Sequence, residues 1–346
     1  MKTYIITLLT TVLLSELSGQ LLDTASPIDF DRNPALSKTS SGYLLKGSSL
    51  KLNVSTHIEG VALRFRGDIS ASVWIQYVFN GDSLSEKYPA KLFDEPGSDR
   101  FIASVLQKSQ SEVIRIRYTA EANEPLNLIS GGIYTDHDNE EILNDKNNPM
   151  IPKKLSVEKP KIISRAEWGA RNPKYDYSNH PYFNKMTLHH AAGWGARTLD
   201  EGKAAVKSIQ DFHQDGRGWS DIGYHFLVDM AGNIYQGRPE TVLGAHVGGA
   251  NTGNIGVCLL GCYHPPETSI PCYDEMTYNS EQSLIKLYAW ISDAYGVEPK
   301  LLKGHRDYFG TTSCPGNNVW SMIPQLKSEI SLFILIIANL IISDAD

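Results

Sequence analysis

The chain has 346 residues, 41% of them hydrophobic, and a formal net charge of −7. That length exceeds a usual single domain and leaves room for two units, each burying its own core. The acidic balance, with no dense basic patch, argues against a nucleic-acid partner.

Residues 1–20 read as a signal peptide, with Lys2 as the positive start, an apolar stretch from Tyr4 to Leu14 and small residues at Ser18-Gly19. The apolar run is too short to cross about 30 Å of hydrocarbon, so the expectation is cleavage and a secreted protein, extracellular or periplasmic, with no stable membrane span. Export permits disulfides.

Over 42–134 short alternating segments follow one another, at Ser49–Val54, Val61–Arg66, Ser72–Val78 and Glu112–Tyr118. Period-two alternation between Gly, Asp, Asn and Pro turns predicts antiparallel strands buried on one face, forming a smaller all-β sandwich accessory domain. Trp74, Tyr77 and Tyr88 either form a sugar-stacking platform or, more commonly for strand aromatics, fill the core. Asn53-Val54-Ser55 matches the glycosylation acceptor pattern.

Residues 135–159 carry an acidic cluster from Asp136 to Glu141 and a Pro-containing stretch with no apolar period, the composition of a linker. From 160 to 328 strands and helices mix. Lys185–His189, His225–Asp229 and Ile255–Leu260 read as strands, and Leu199–His213 and Asn279–Tyr295 as helices, the second with Asn279 and Gln282 as its cap pair. An α/β unit follows, a mixed central sheet flanked by helices. Residues 329–346 form an apolar tail of about 13 apolar positions, short of the roughly 20 that a span needs.

The four cysteines are Cys258, Cys262, Cys272 and Cys314. A strand through Cys258 places that thiol inside the sheet and Cys262 at its exit, which favours a Cys262–Cys272 bridge and leaves Cys258–Cys272 open. His305 and Cys314 stand nine positions apart in a Gly- and Pro-bounded loop, and His189-His190 end an apolar run far upstream. Two imidazoles and a thiolate from the ends of distant elements make a three-ligand metal site, the number used by catalytic zinc, which keeps a fourth position open.

Several motifs stand in order through this half: Ile163-Ser164-Arg165-Ala166-Glu167-Trp168-Gly169, Leu188-His189-His190, Trp219-Ser220-Asp221-Ile222-Gly223-Tyr224, Gly244-Ala245-His246 to Asn251, and Gly304-His305-Arg306 with Ser313-Cys314-Pro315-Gly316. With these motifs the segment 162–326 resembles the peptidoglycan recognition proteins, the zinc amidases of type 2 related to the T7-type lysozyme. The resemblance implies Zn2+ held by His189, His305 and Cys314, and cleavage of the amide between the lactyl group of N-acetylmuramic acid and L-alanine. It implies Tyr224 as the phenol that hydrogen-bonds the water or oxyanion, and Thr312 at a position where relatives carry Lys or Thr. His190, His213, His246 and Asn251 correspond to peptidoglycan contacts. Gly218, Trp219 and Arg238 correspond to residues selecting meso-diaminopimelate stems, whose extra carboxylate suits a guanidinium fork. Relatives that only recognise peptidoglycan often lack the cysteine, so Cys314 favours an enzyme over a non-catalytic recognition protein. A zinc peptidase acting within the stem is a third reading. The nine-residue spacing is one longer than the family's, and the resemblance therefore requires a bulge near Gly310. The cysteine pair that many animal members carry after the His-His motif is missing, which suggests a bacterial-type relative.

Overall fold

The computed structural model describes residues 26–28, 30, 34–52, 57–95, 99–134, 157–264, 274–310 and 312–343. The expected signal peptide, the glycosylation site at Asn53, most of the linker and Cys272 lie outside the described residues.

Ten strands build the N-terminal unit: β1 (Ser26–Ile28), β2 (Ala35–Thr39), β3 (Gly42–Ser48), β4 (Gly60–Arg66), β5 (Ser72–Phe79), β6 (Tyr88–Pro89), β7 (Lys91–Asp94), β8 (Arg100–Leu106), β9 (Val113–Ala122) and β10 (Asn127–Tyr134). They pair antiparallel into two five-stranded sheets, β1-β10-β4-β8-β7 and β2-β3-β9-β5-β6. Alternation sends Leu63, Phe65, Phe101, Ile75, Tyr77 and Ile116 into the space between them. Tyr77 is buried there, 5.3 Å from the Tyr88 ring, while Trp74 lies three positions away on the opposite face. The three aromatics therefore do not share one platform.

Two expectations are corrected. Over its described residues the segment from Ser49 is not a strand of its own: β3 ends at Ser48, and beyond it only single bonds continue toward the neighbouring strand, the Ser49 and Leu52 N–H groups donating to the Ile116 and Ile114 carbonyls and the Ser49 hydroxyl accepting the Ile116 N–H at 2.8 Å. Nor is the first sheet buried on one face only. Along β4, Val61, Leu63 and Phe65 enter the sandwich core, and Ala62 and Arg64 are buried on the other side, where the C-terminal unit covers them. Ala62, Phe93, Ile102 and Tyr134 share a cluster there with Trp194 and Phe212, so a continuous core joins the two units.

The C-terminal unit comprises β11 (Ile162–Ile163), β12 (Lys185–His190), α1 (Leu199–Asp211), β13 (Phe226–Val228), β14 (Ile234–Gln236), β15 (Asn254–Leu259), α2 (Tyr278–Tyr295), β16 (Leu302–Gly304), α3 (Arg306–Phe309), α4 (Asn317–Trp320) and α5 (Ile323–Ser343). The sheet order is β11-β14-β13-β15-β12-β16, parallel except between β13 and β14. Met186, Leu188, Phe226 and Val257 pack beneath α2 and α5, and Leu227 and Cys258 face Val206 and Ile209 of α1. This is the mixed, helix-covered sheet that the sequence predicts.

Helix α1 starts at a capping box, in which Thr198 accepts from the Glu201 N–H and the Glu201 carboxylate accepts from the Thr198 N–H. Helix α2 begins at Tyr278, one residue before the expected cap, so its cap is Thr277, whose hydroxyl accepts the Ser280 N–H at 3.1 Å. Helix α5 packs Leu326 and Ile330 on the core and runs on to Ser343, so the boundary expected at 328 falls within one helix. Leu332, Leu335 and Ile336 on its outer side are 55%, 56% and 48% exposed. No helix of the described residues is long and apolar enough to cross a membrane.

Candidate metal centre and groove

His189 stands near the carboxyl end of β12, between β15 and β16, and alternation turns it away from Leu188 and the α2 layer. His305 follows directly on β16, its N–H donating to the Leu188 carbonyl at 3.3 Å. The chain then makes the single turn of α3, which ends at Gly310 with φ 66, a left-handed conformation that glycine adopts without steric cost. Arg306 returns to clasp the far end, its backbone N–H donating to the Cys314 carbonyl at 3.0 Å and its guanidinium to the Ser313 carbonyl.

These elements bring His189, His305 and Cys314 together with ligand atoms within 4.8 Å of one another, all three buried. The Cys314 Sγ lies 3.6 Å from His189 Nδ1, and the His189 and His305 rings are 4.7 Å apart between centroids. Two imidazoles and a thiol are the nitrogen and sulfur donors that zinc favours.

The tautomer of His189 follows from its neighbours. His246 Nε2 is 3.2 Å from the Asn254 carbonyl, which can only accept, so this nitrogen carries the proton and His246 Nδ1 is an acceptor. That acceptor lies 3.0 Å from His189 Nε2, which therefore donates. His189 Nδ1 is left with its lone pair directed to the side of Cys314. The relay requires a neutral His246, and burial first, then the neighbouring His189, hold its pKa well below the usual range. Gly256 makes room, since a Cβ there would stand 2.6 Å from the His246 ring.

The other expected site residues line or support the same region. The Tyr224 ring lies 5.2 Å from His189 and 5.7 Å from His213. Thr312 accepts the Cys314 N–H on its hydroxyl at 3.1 Å. His190 Nδ1 accepts from the Tyr263 N–H at 3.3 Å, and its ring packs 4.9 Å from His264. His213, in the π turn Phe212–Gly216 that continues α1, accepts the Gly223 N–H and stacks 4.8 Å from Trp219. Gly218 adopts φ 73, a turn open to glycine.

Three of the expected contacts are deeply built in. Asn251 accepts from the N–H groups of both His246 and Val247. His246 spends both ring nitrogens on His189 and Asn254. Arg238 is 4% exposed and donates to the carbonyls of Ile222 and Leu243 at 2.7 and 2.9 Å. Asp221 anchors the segment between Trp219 and Tyr224 by accepting from Gln210, Arg165 and its neighbour Ile222. Its part in holding Tyr224 was readable only as a motif letter.

Neither Cys258 nor Cys314 takes part in a disulfide, which removes Cys258–Cys272 from the possible bridges.

Residues 179–317 match the family model described as Amidase_2, N-acetylmuramoyl-L-alanine amidase. Peptidoglycan-recognition protein SC2 of Drosophila simulans is 36% identical over 166 residues, spanning 47% of this chain and 84% of the relative. An N-acetylmuramoyl-L-alanine amidase of Mus musculus is 34% identical over 171 residues, 47% of this chain and 30% of that protein. A crystal structure of the Drosophila peptidoglycan recognition protein SD covers 49% of this chain and 95% of its own, at 26% identity and a TM-score of 0.44. The similar proteins include insect, mammalian and bacterial ones, the last an N-acetylmuramoyl-L-alanine amidase LysC of Clostridium intestinale at 28% identity, covering 50% of this chain and 99% of its own with a TM-score of 0.40.

Proposed function

We propose that this chain, which belongs to the peptidoglycan recognition protein family of type 2 amidases, is a secreted zinc-dependent N-acetylmuramoyl-L-alanine amidase. Its bond is the amide between the lactyl group of muramic acid and L-alanine of the stem peptide. The observation that carries the reading is the convergence of His189, His305 and Cys314 within 4.8 Å. A three-donor set matches a catalytic site rather than a closed structural one.

His189, His305 and Cys314 would hold the zinc, which would supply Lewis acidity and lower the pKa of a water at neutral pH. The chain's own residues do the rest. His246 presents His189 in the ligating tautomer. The Tyr224 phenol is a hydrogen-bond donor beside the ligand histidine, suited to the carbonyl oxygen as negative charge develops on it. Thr312, through its bond to the Cys314 N–H, fixes the loop that presents the thiolate.

His190 and His213 are assigned to the glycan-peptide substrate, with His246 and Asn251 serving mainly to shape the loop behind it. A preference for meso-diaminopimelate stems is assigned to Gly218, Trp219 and Arg238. The Arg238 guanidinium donates to the carbonyls of Ile222, Leu243 and Asp221, so its part in that preference is to hold the segment after Trp219 in place, and the preference itself rests on the resemblance. Export rests on the sequence of residues 1–20, and a Cys262–Cys272 bridge fits the absence of a disulfide at Cys258 and Cys314.

Digestion of purified diaminopimelate-type and lysine-type peptidoglycan, followed by mass spectrometry of the soluble products, tests this reading. Expected are free stem peptides beginning at L-alanine, more from the diaminopimelate wall, stopped by chelator and absent with Cys314→Ala. Tight binding to intact walls without peptide release would instead make the protein a recognition module. Cuts within the stem would make it a peptidase.

A further inference from the structure

Arg64 lies on β4 and Glu95 just beyond β7, both in the N-terminal unit, with Nε to Oε1 at 2.6 Å and each side chain 1% exposed. The guanidinium also reaches across the boundary, where Nη1 donates to the Ala192 carbonyl at 2.6 Å and the group sits 5.8 Å from the centre of the Trp194 ring. Ala192 is three residues beyond His189 and two beyond His190. The turn it begins is strained, with Ala192 at φ 53 and Trp194 at φ 48, left-handed values that side-chain-bearing residues hold only where the surroundings impose them.

Two kinds of contact impose it. On one side Gly193 and Gly261 exchange backbone hydrogen bonds at 3.3 and 3.0 Å, tying the turn to the end of β15. On the other side is the charged pair, and the fit is close. A Cβ on Gly193 would stand 2.8 Å from both Arg64 Nη2 and Glu95 Oε2. A buried ion pair that only joined two domains would be replaceable by apolar side chains of similar volume, because its desolvation offsets most of its attraction. Here the pair has a third partner, the carbonyl of a strained residue three positions beyond the ligand His189.

We propose that Arg64, oriented by Glu95, is a positioning residue for the metal centre, and that the sandwich is thereby a working part of the site rather than an independent binding module. Arg64 fixes the Ala192–Trp194 turn, and the turn fixes the end of β12 from which His189 and His190 project. The inference rests on the zinc reading for its affinity measurement only.

The test uses the full chain with Arg64→Lys and with the paired change Arg64→Met, Glu95→Leu, read by zinc affinity in chelator competition and by amide hydrogen exchange. Lysine keeps the charge opposite Glu95 but lacks the second N–H arm that reaches Ala192. The apolar pair keeps the boundary filled and abolishes positioning. Both variants should bind zinc about tenfold more weakly, the scale expected for groups that orient a ligand. Exchange at Ala192–Trp194 should rise about tenfold while that at Met186 and Leu188 is unchanged. Wild-type affinity with wild-type exchange in a folded variant overturns the proposal, and if the apolar pair fails to fold, Arg64→Lys decides. A wild-type protein that binds no zinc refutes the function proposed above and leaves the exchange measurement to judge this one.

Discussion

In the C-terminal unit the sheet and the loops about its ends bury Thr187, His189, His190, Asp221, His225, Asp229 and His246, each at most 1% exposed. Among the described residues of the sandwich the buried polar side chains are Ser49, Arg64, Glu95, Ser104 and Ser109. Ser49 and Ser109 accept the N–H groups of Ile116 and Ile58 and so satisfy the sandwich's own backbone. The other three meet the neighbouring unit, with Ser104 donating to the Gly216 carbonyl at 2.8 Å and Arg64 to Ala192. Buried polarity therefore has separate origins in the two halves. In one it gathers about the His189, His305 and Cys314 cluster and its supporting loops, and in the other it appears where a ladder ends or a second unit docks.

The sharpest way to break that contrast is to damage the apolar half alone. Phe65 is fully buried, 5.4 Å from Phe101 and 5.8 Å from Tyr118, and Phe65→Ala is expected to cost about 3–5 kcal/mol. Because β4 is common to both packing layers, denaturant curves followed by far-UV signal and by zinc release should shift together. If the sandwich melted first with zinc retained, the shared core would not be the coupling element.

Acid should act from the other side. Burial pushes the His225 pKa down to about 4, and burial with the nearby His225 pushes His180 down to about 2. An unfolded histidine titrates near 6.5, so between about pH 6.5 and 4 the unfolded chain takes up the proton first. Stability is then complete above that window and is lost as pH falls through it, by about 3 kcal/mol for His225 alone. Urea midpoints measured from pH 8 to pH 4 check the sign. Rising stability on acidification would refute the neutral, buried histidines.

The smallest effect separates site from scaffold. His246→Gln removes the relay that presents His189 Nδ1 and should weaken zinc binding about tenfold, measured by chelator competition. Folded Phe65→Ala should bind zinc as the unaltered protein does.

Much of the C-terminal half could be read directly, because β12 ends its apolar run in two histidines and the loop carrying Cys314 is bounded by Gly and Pro. What the motifs do not carry is direction. His246 reads as one more substrate histidine until the contact with His189 Nε2 assigns its proton. The cap of α2 was displaced by a local competition that Thr277 wins over Asn279, by standing outside the first helical residue with extended φ and ψ. Arg64 was illegible for a different reason. Alternation along Val61–Arg66 sends it away from the sandwich core, which normally means water, and only the arrival of residues more than a hundred positions later makes that face an interior.

The doubly covered strand β4 also bears on how the protein can be divided for production. A truncated protein holding only the amidase-like half would present Trp194 and Phe212 to solvent where Phe93 and Ala62 now cover them, an apolar patch of the kind that drives self-association. Soluble expression of that half would call for polar replacements along the uncovered patch, or for keeping the sandwich attached.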